Sequence, residues 1–426
     1  MWCGAIDAEK GVLADPDAPK PPGMNTRHNR RSLGSANLLY DTVTIRTLQV
    51  LSAVTGEPSY AAAGKAYIKD YLAATQHPTT GLMAWGEHMH YDLAKDAVTG
   101  DVHEFNGDTA PWDLVWEADP VAASKAIAAL RNHFYGDPPD KDGWYYNRHA
   151  GWAGGGPHAD KHNGQMTWIR HSGSYAHAYA FLYAKTKEPQ WLAMAKNSGL
   201  LFWNHRDPNT GIAGSCLRGT CEVEPITWAA IANHGSFYCI LGQAGALLPE
   251  DPALRDAAVA MLKTYDRYGW DEQTKTYAQA LKPDGTRMPM QRWSRSDPAE
   301  GLLKLGLAAT FLARLTKDPD CLRIAQRCGD AVHGIQRNEL SIDPLGGMLT
   351  VYLNLFDLTK DPMWLTRSHA VAAQILAKHL HKGLITTLPG GTIYEAQTGP
   401  GLAAAGLLRL RTHPELKDPG IWDWNP

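Results

Sequence analysis

Apolar residues recur at helical spacing along most of the chain, in Ala- and Leu-rich segments that come in pairs. Asn37 to Val54 is followed by Tyr60 to Ala74, and Ser174 to Lys185 by Trp191 to Trp203. A short phrase recurs at such junctions: Thr55-Gly-Glu-Pro-Ser-Tyr60, Thr186-Lys-Glu-Pro-Gln-Trp191, Thr316-Lys-Asp-Pro-Asp-Cys321 and Thr359-Lys-Asp-Pro-Met-Trp364. Proline here fits the first turn of a second helix, where its missing N–H costs nothing. The unit therefore reads as helix, tight turn, helix.

A second phrase closes some units: Pro78-Thr-Thr-Gly-Leu82, Pro208-Asn-Thr-Gly-Ile212 and, more loosely, Asp271-Glu-Gln-Thr-Lys-Thr276. Strictly alternating strand patterns are scarce, and Asp119-Pro120 opens one more apolar helix over Val121 to Phe134. Repeated hairpins must bury their faces on one another, as an open solenoid or a closed toroid. Uneven unit lengths and long aromatic-rich interruptions at 83–118 and 136–172 favour closure. The turn phrases resemble those of carbohydrate-active (α/α) barrels. The expectation is an all-α protein, a single (α/α)6 or (α/α)7 toroid domain over residues 1–426, with the two long loops carrying the chemistry.

Composition narrows the function. The net charge is −3 with His neutral, and no basic block occurs, so nucleic-acid and anionic-membrane binding gain no support. A polyanionic substrate would have to be met by local positive groups. No apolar run approaches the ~18 residues of a membrane span. The first ten residues lack a signal peptide's basic and apolar regions, so the chain as it stands reads as cytoplasmic, or as periplasmic or secreted if a leader has been removed. Six cysteines are too few for a disulfide scaffold; Cys216 and Cys221 are close enough to bridge, but buried free thiols are the simpler reading. Oligomeric state is not legible.

Trp (15) and Tyr (17) outnumber Phe (7), an excess of amphipathic rings that suits a sugar-binding cleft or an ordinary helical core. Of the 18 His, 12 fall between His77 and His234, which places the chemistry in the N-terminal half. Three motifs stand out there: Trp85-Gly-Glu-His-Met-His-Tyr-Asp92, His103-Glu104-Phe105 and Tyr145-Tyr-Asn-Arg-His149. Two imidazoles and a carboxylate suit a divalent transition metal, Arg suits a sugar acid, and aromatic rings stack on pyranose faces. An extended segment would put His88 and His90 on one side, so either could serve as ligand.

Gly86-Glu-His88 with Asp92, His103-Glu104, and Asn147-Arg148-His149-Ala-Gly151 resemble, in order and spacing, polysaccharide lyase family 2, the pectate disaccharide-lyases, or a related uronate-lyase family. The resemblance covers some 70 residues. It implies an α/α toroid that cleaves a uronate polysaccharide by β-elimination, with His88, Glu104 and His149 holding a metal (Mn, Ni, Co or Zn) and Arg148 as base. Glu87 stands where the family suggests glycine. Because guanidinium is normally always charged, Arg148 could instead anchor the substrate carboxylate while Tyr146, His171 or a lysine takes the proton.

Trp85, Trp112, Tyr145, Trp152, Arg170, Tyr175, Arg292, Trp293 and Arg295 are candidate contacts to an acidic oligo- or polysaccharide. A glycoside hydrolase would draw on Glu87, Asp92, Glu104, Asp108 and Asp113. A sugar epimerase using His pairs is a third reading, and a non-enzymatic helical repeat protein a fourth.

Overall fold

The structure, a computed structural model, describes residues 4–14, 35–86, 88–105, 110–134, 146, 149–152, 167–217, 228–288, 298–335, 340–396 and 399–412. They group into two compact units, one of Met1–His103, Asp113–Ala123 and Ile335–Pro426, the other of Glu104–Trp112 and Ser124–Gly334.

In chain order the helices are α1 (Leu38–Thr55), α2 (Ser59–Thr75), α3 (Trp112–Ala118), α4 (Pro120–Phe134), α5 (Ile169–Thr186), α6 (Pro189–Gly199) and the short α7 (Leu201–Asn204). They continue as α8 (Ile231–Ala246), α9 (Ala253–Gly269), α10 (Pro298–Thr316), α11 (Pro319–His333), α12 (Ile342–Thr359), α13 (Pro362–Lys378) and α14 (Pro400–Thr412). The strands are two or three residues long, and the first long interruption contains α3.

In the second unit α5/α6, α8/α9 and α10/α11 are hairpins, and α8 packs against both α5 and α10. The two members of a hairpin bury differently. α8 is buried almost all round from His234 to Gly242, whereas α9 buries one face through Leu254, Ala257, Ala258, Met261, Leu262 and Tyr265. The α8–α10 approach is backbone-close: a Cβ on Gly235 would lie 2.5 Å from the Leu305 nitrogen. The first unit repeats this arrangement. α12 is buried from Ile342 to Leu355, α13 buries Trp364, Ser368, Val371, Ala372 and Ile375, and α14 lies against α12 and α1.

The repeated phrase makes the same left-handed turn each time, and its two Asp-Pro copies also cap the helix that follows. Thr186, Thr316 and Thr359 donate their hydroxyls to Leu182, Leu312 and Leu355 carbonyls at 3.0, 2.7 and 2.7 Å. The next residue takes the left-handed conformation, with φ of 72° at Gly56, 60° at Lys187, 61° at Lys317 and 58° at Lys360. Asp318 and Asp361 then cap the following helix, accepting from Asp320 N and Met363 N at 2.9 Å each, with proline in the first turn. In the closing phrase, Asp207 and Asp271 take the same part, each accepting two backbone N–H groups within three residues.

Cys239, Cys321 and Cys328 are buried free thiols. Cys216 departs from the free-thiol expectation and is disulfide-bonded; Cys221 lies outside the described residues.

Candidate metal centre

Glu104 is 1% exposed, so its carboxylate must find partners within the protein. One oxygen, Oε2, lies 3.4 Å from His149 Nε2, and the other, Oε1, lies 3.3 Å from His171 Nε2. Two imidazoles thus flank one buried carboxylate.

Local packing explains why these side chains, distant in sequence, meet. α5 begins where Thr167–Trp168 pairs antiparallel with Cys216–Leu217, which fixes its first turn and hence His171. Tyr146, three residues before His149, donates its hydroxyl to the Trp168 carbonyl at 2.6 Å, and its own carbonyl accepts from Thr167 Oγ1 at 2.8 Å. Phe105, the neighbour of Glu104, packs on Tyr175 with ring centroids 5.7 Å apart, and Tyr175 meets Tyr146 edge-on at 4.7 Å. One aromatic cluster therefore joins the Glu104, His149 and α5 segments.

His88 precedes the strand His90–Asp92, which pairs with Ser35–Ala36 and with Ala97–Thr99. As donor types, His88, Glu104 and His149 together offer two imidazoles and a carboxylate. Two imidazoles and a carboxylate are the donor set that Mn, Fe, Co, Ni or Zn accepts with positions left for substrate, so the residues fit a divalent cation.

The remaining candidates divide sharply. Trp85, Trp112 and Tyr175 are at most 1% exposed, placed as core packing and not as stacking platforms. Trp152 and Arg170 are half-buried. The Tyr146 hydroxyl is engaged by the backbone. Among the carboxylates considered for hydrolysis, Asp113 is held by Arg46 through contacts of 2.8 and 3.0 Å, and Asp92 caps a turn by accepting from Ala94 N and Lys95 N. His103 is fully buried beside Glu104 in sequence, and His90 lies on the strand after His88. Glu87, Asp108, Tyr145, Arg148, Arg292, Trp293 and Arg295 lie outside the described residues.

Sequence reasoning missed Asn37, whose side chain bonds the Gly86 and Met89 carbonyls. Its only signal was its place just before an apolar helix, which reads as an N-cap.

The fold belongs to the (α/α) toroid class. Cellobiose 2-epimerase from Bacillus thermoamylovorans is similar at a TM-score of 0.56, with 10% identity over 80% of this chain and 95% of that one. A D-mannose isomerase is similar at 0.53, with 9% identity over 82% and 98%. A sugar epimerase from a ruminal bacterium follows at 0.52, with 8% identity over 72% and 85%. No curated protein sequence matches the chain. More specific is the family model for periplasmic pectate lyase, which matches residues 24–234, the segment containing His88, Glu104, Arg148, His149 and His171. Fold and family match together describe a carbohydrate-active enzyme.

Proposed function

We propose that the protein is a metal-assisted polysaccharide lyase that cleaves a uronate-containing, pectate-like glycan by β-elimination. The observation that carries this reading is the buried Glu104 carboxylate flanked by His149 and His171, inside the segment that resembles the pectate lyases.

The C5 proton of a uronate is acidic because it lies beside the carboxylate, but removing it builds a second negative charge that must be neutralised. A divalent cation held by His88, Glu104 and His149 would supply Lewis-acid neutralisation of that charge. The protein's own residues do the rest. Arg148 removes the C5 proton, or grips the substrate carboxylate with paired N–H donors while His171 or a lysine takes that proton. The C4–O bond breaks as the C4=C5 double bond forms, and the departing oxygen takes up a proton, leaving an unsaturated sugar. His171, facing the other oxygen of Glu104, holds that carboxylate's orientation. Arg170, adjacent to His171 in the first turn of α5, adds positive charge for an anionic sugar. Tyr146 keeps the His149 segment in register with α5; its hydroxyl, bound to the Trp168 carbonyl, is a weaker choice as base.

A periplasmic location agrees with the family's description and with the disulfide at Cys216, since disulfides persist in oxidising compartments. Among the described residues no helix is long and apolar enough to cross a membrane.

The test is a screen of polygalacturonate, alginate, ulvan and glucuronan, following the ultraviolet absorbance of the new double bond. The expected result is a signal on one of them that disappears on chelation and returns with Mn²⁺ or Ni²⁺. Chain cleavage that survives chelation and yields no unsaturated product would replace the lyase with a hydrolase. Isomerisation of free sugars without cleavage would replace it with an epimerase.

A further inference from the structure

Asn37 serves two segments at once. Its Oδ1 accepts from Leu39 N at 3.3 Å, the ordinary N-cap bond of α1. Its Nδ2 reaches across 49 and 52 positions to donate to the Gly86 carbonyl at 2.9 Å and the Met89 carbonyl at 3.2 Å. Oδ1 also faces Gly86 N at 3.4 Å. The two carbonyls bracket His88, so one buried amide ties down the backbone on both sides of it.

The opposite flank is closed as well. Gly100 has φ of +99°, and a Cβ there would fall 2.3 Å from the His88 carbonyl oxygen, so the His88 backbone is pressed directly on Gly100. Asn37 is itself fixed, because its own N–H donates to Asp41 Oδ2 at 3.2 Å. A loop pinned by a buried side-chain amide on one side and a bare glycine backbone on the other presents its imidazole from a fixed origin.

We propose that Asn37 is a positioning residue for His88, setting the backbone from which that imidazole reaches a divalent cation. This rests on the reading of His88 as a ligand. The competing role is helix capping alone, and the two separate at serine. Asn37→Ser keeps a side-chain oxygen for the Leu39 N–H and ranks with Asn as a cap, but has no amide to reach Gly86 and Met89. Asn37→Asp likewise keeps the cap and loses the donor.

The experiment is calorimetric titration of Mn²⁺ into the full chain as wild type, N37S, N37D and His88→Ala, with a melting curve of each. Loss of a group that orients a ligand typically weakens metal binding ~10–100-fold. The expected result is that N37S melts close to wild type yet binds Mn²⁺ weaker by about that factor, with N37D following it and H88A weaker still. If N37S does not fold, the same comparison is read from N37D. Wild-type affinity in the folded Asn37 variants, while H88A loses binding, overturns the clasp and leaves Asn37 a cap. A wild type that does not bind Mn²⁺, or an H88A that binds as tightly as wild type, overturns the ligand reading and the clasp with it.

Discussion

Replacing Asp41 by Asn removes a buried charge without removing the side chain's shape. Asp41 lies in the first turn of α1, is 3% exposed, and accepts hydrogen bonds from the Tyr67 hydroxyl and from Asn37 N. Burial raises its carboxyl from 3.8 to about 7, only partly opposed by those two bonds. The folded protein therefore holds a proton on Asp41 over a range where the unfolded chain has released it, and stability from this group falls as pH rises from about 4 to 7. At ~1.4 kcal/mol per pH unit, the interval between 3.8 and about 7 corresponds to ~4 kcal/mol. The α1 N-terminus favours an anion by only ~0.3–1 kcal/mol, so it does not reverse the sign. Asn is neutral at every pH and still offers an oxygen to Tyr67 and Asn37. D41N should match wild type within ~1 kcal/mol near pH 4 and exceed it by ~4 kcal/mol above pH 8. Urea unfolding at one-unit intervals between these limits reads the difference directly. Parallel curves, with a constant gap between D41N and wild type, would refute the claim that Asp41 is a buried carboxyl protonated in the folded state.

Glu104→Gln should weaken Mn²⁺ binding by at least ~10²-fold, since loss of a ligand exceeds loss of a group that orients one; near-wild-type affinity by titration would remove Glu104 from the centre. Lys317→Gly and Lys360→Gly should each stabilise by ~0.5–1 kcal/mol, because relief of the left-handed penalty of ~1–2 kcal/mol exceeds glycine's backbone entropy cost of ~0.5–1 kcal/mol; a lower melting temperature contradicts this. His234, buried in α8 and accepting or donating at Tyr238 Oη over 2.9 Å, has its imidazole pushed down from 6.5 to about 3 by burial. Stability from it is intact above pH 6.5 and declines as pH falls, by ~2 kcal/mol at pH 5, so His234→Gln should show a shallower acid limb in denaturant titrations, and an unchanged limb counts against it. Tyr175→Leu should cost ~2–4 kcal/mol of stability and loosen Mn²⁺ binding, because it removes the ring joining Phe105 to Tyr146; destabilisation with unchanged Mn²⁺ affinity would uncouple the cluster from the site.

The hairpins were legible because each junction completes itself within a few residues. Threonine bonds back to its own helix, aspartate caps the next in the third and fourth copies, and proline needs no N–H. What the phrase did not disclose is the left-handed lysine at its second position; lysine has no preference for that conformation, and Gly56 in the first copy was the only clue. The candidate metal ligands were legible as residue types, while the burial of the aromatic rings was not. Trp85, Trp112 and Tyr175 are amphipathic in sequence, and only packing decides whether such a ring faces solvent or core. Asp113 looked as available as Glu104 until Arg46, 67 positions earlier, was seen to hold it.

The parts that sequence patterns describe well and the parts that do chemistry obey different physics. Hairpin turns satisfy local backbone groups and can be repeated wherever two helices join. The proposed ligands occupy irregular segments between helices, where backbone is fixed by long-range bonds: Asn37 to Gly86 and Met89, Tyr146 to Thr167 and Trp168. His171 and Arg170 sit in the first turn of α5, the end at which the helix dipole favours negative charge. A chain of net charge −3 has no general attraction for a polyanion. On the proposed lyase reading, affinity for uronate would be concentrated where a helix start, an arginine and a carboxylate able to hold a cation coincide, and a protein of ordinary overall charge could in that way be specific for an acidic glycan.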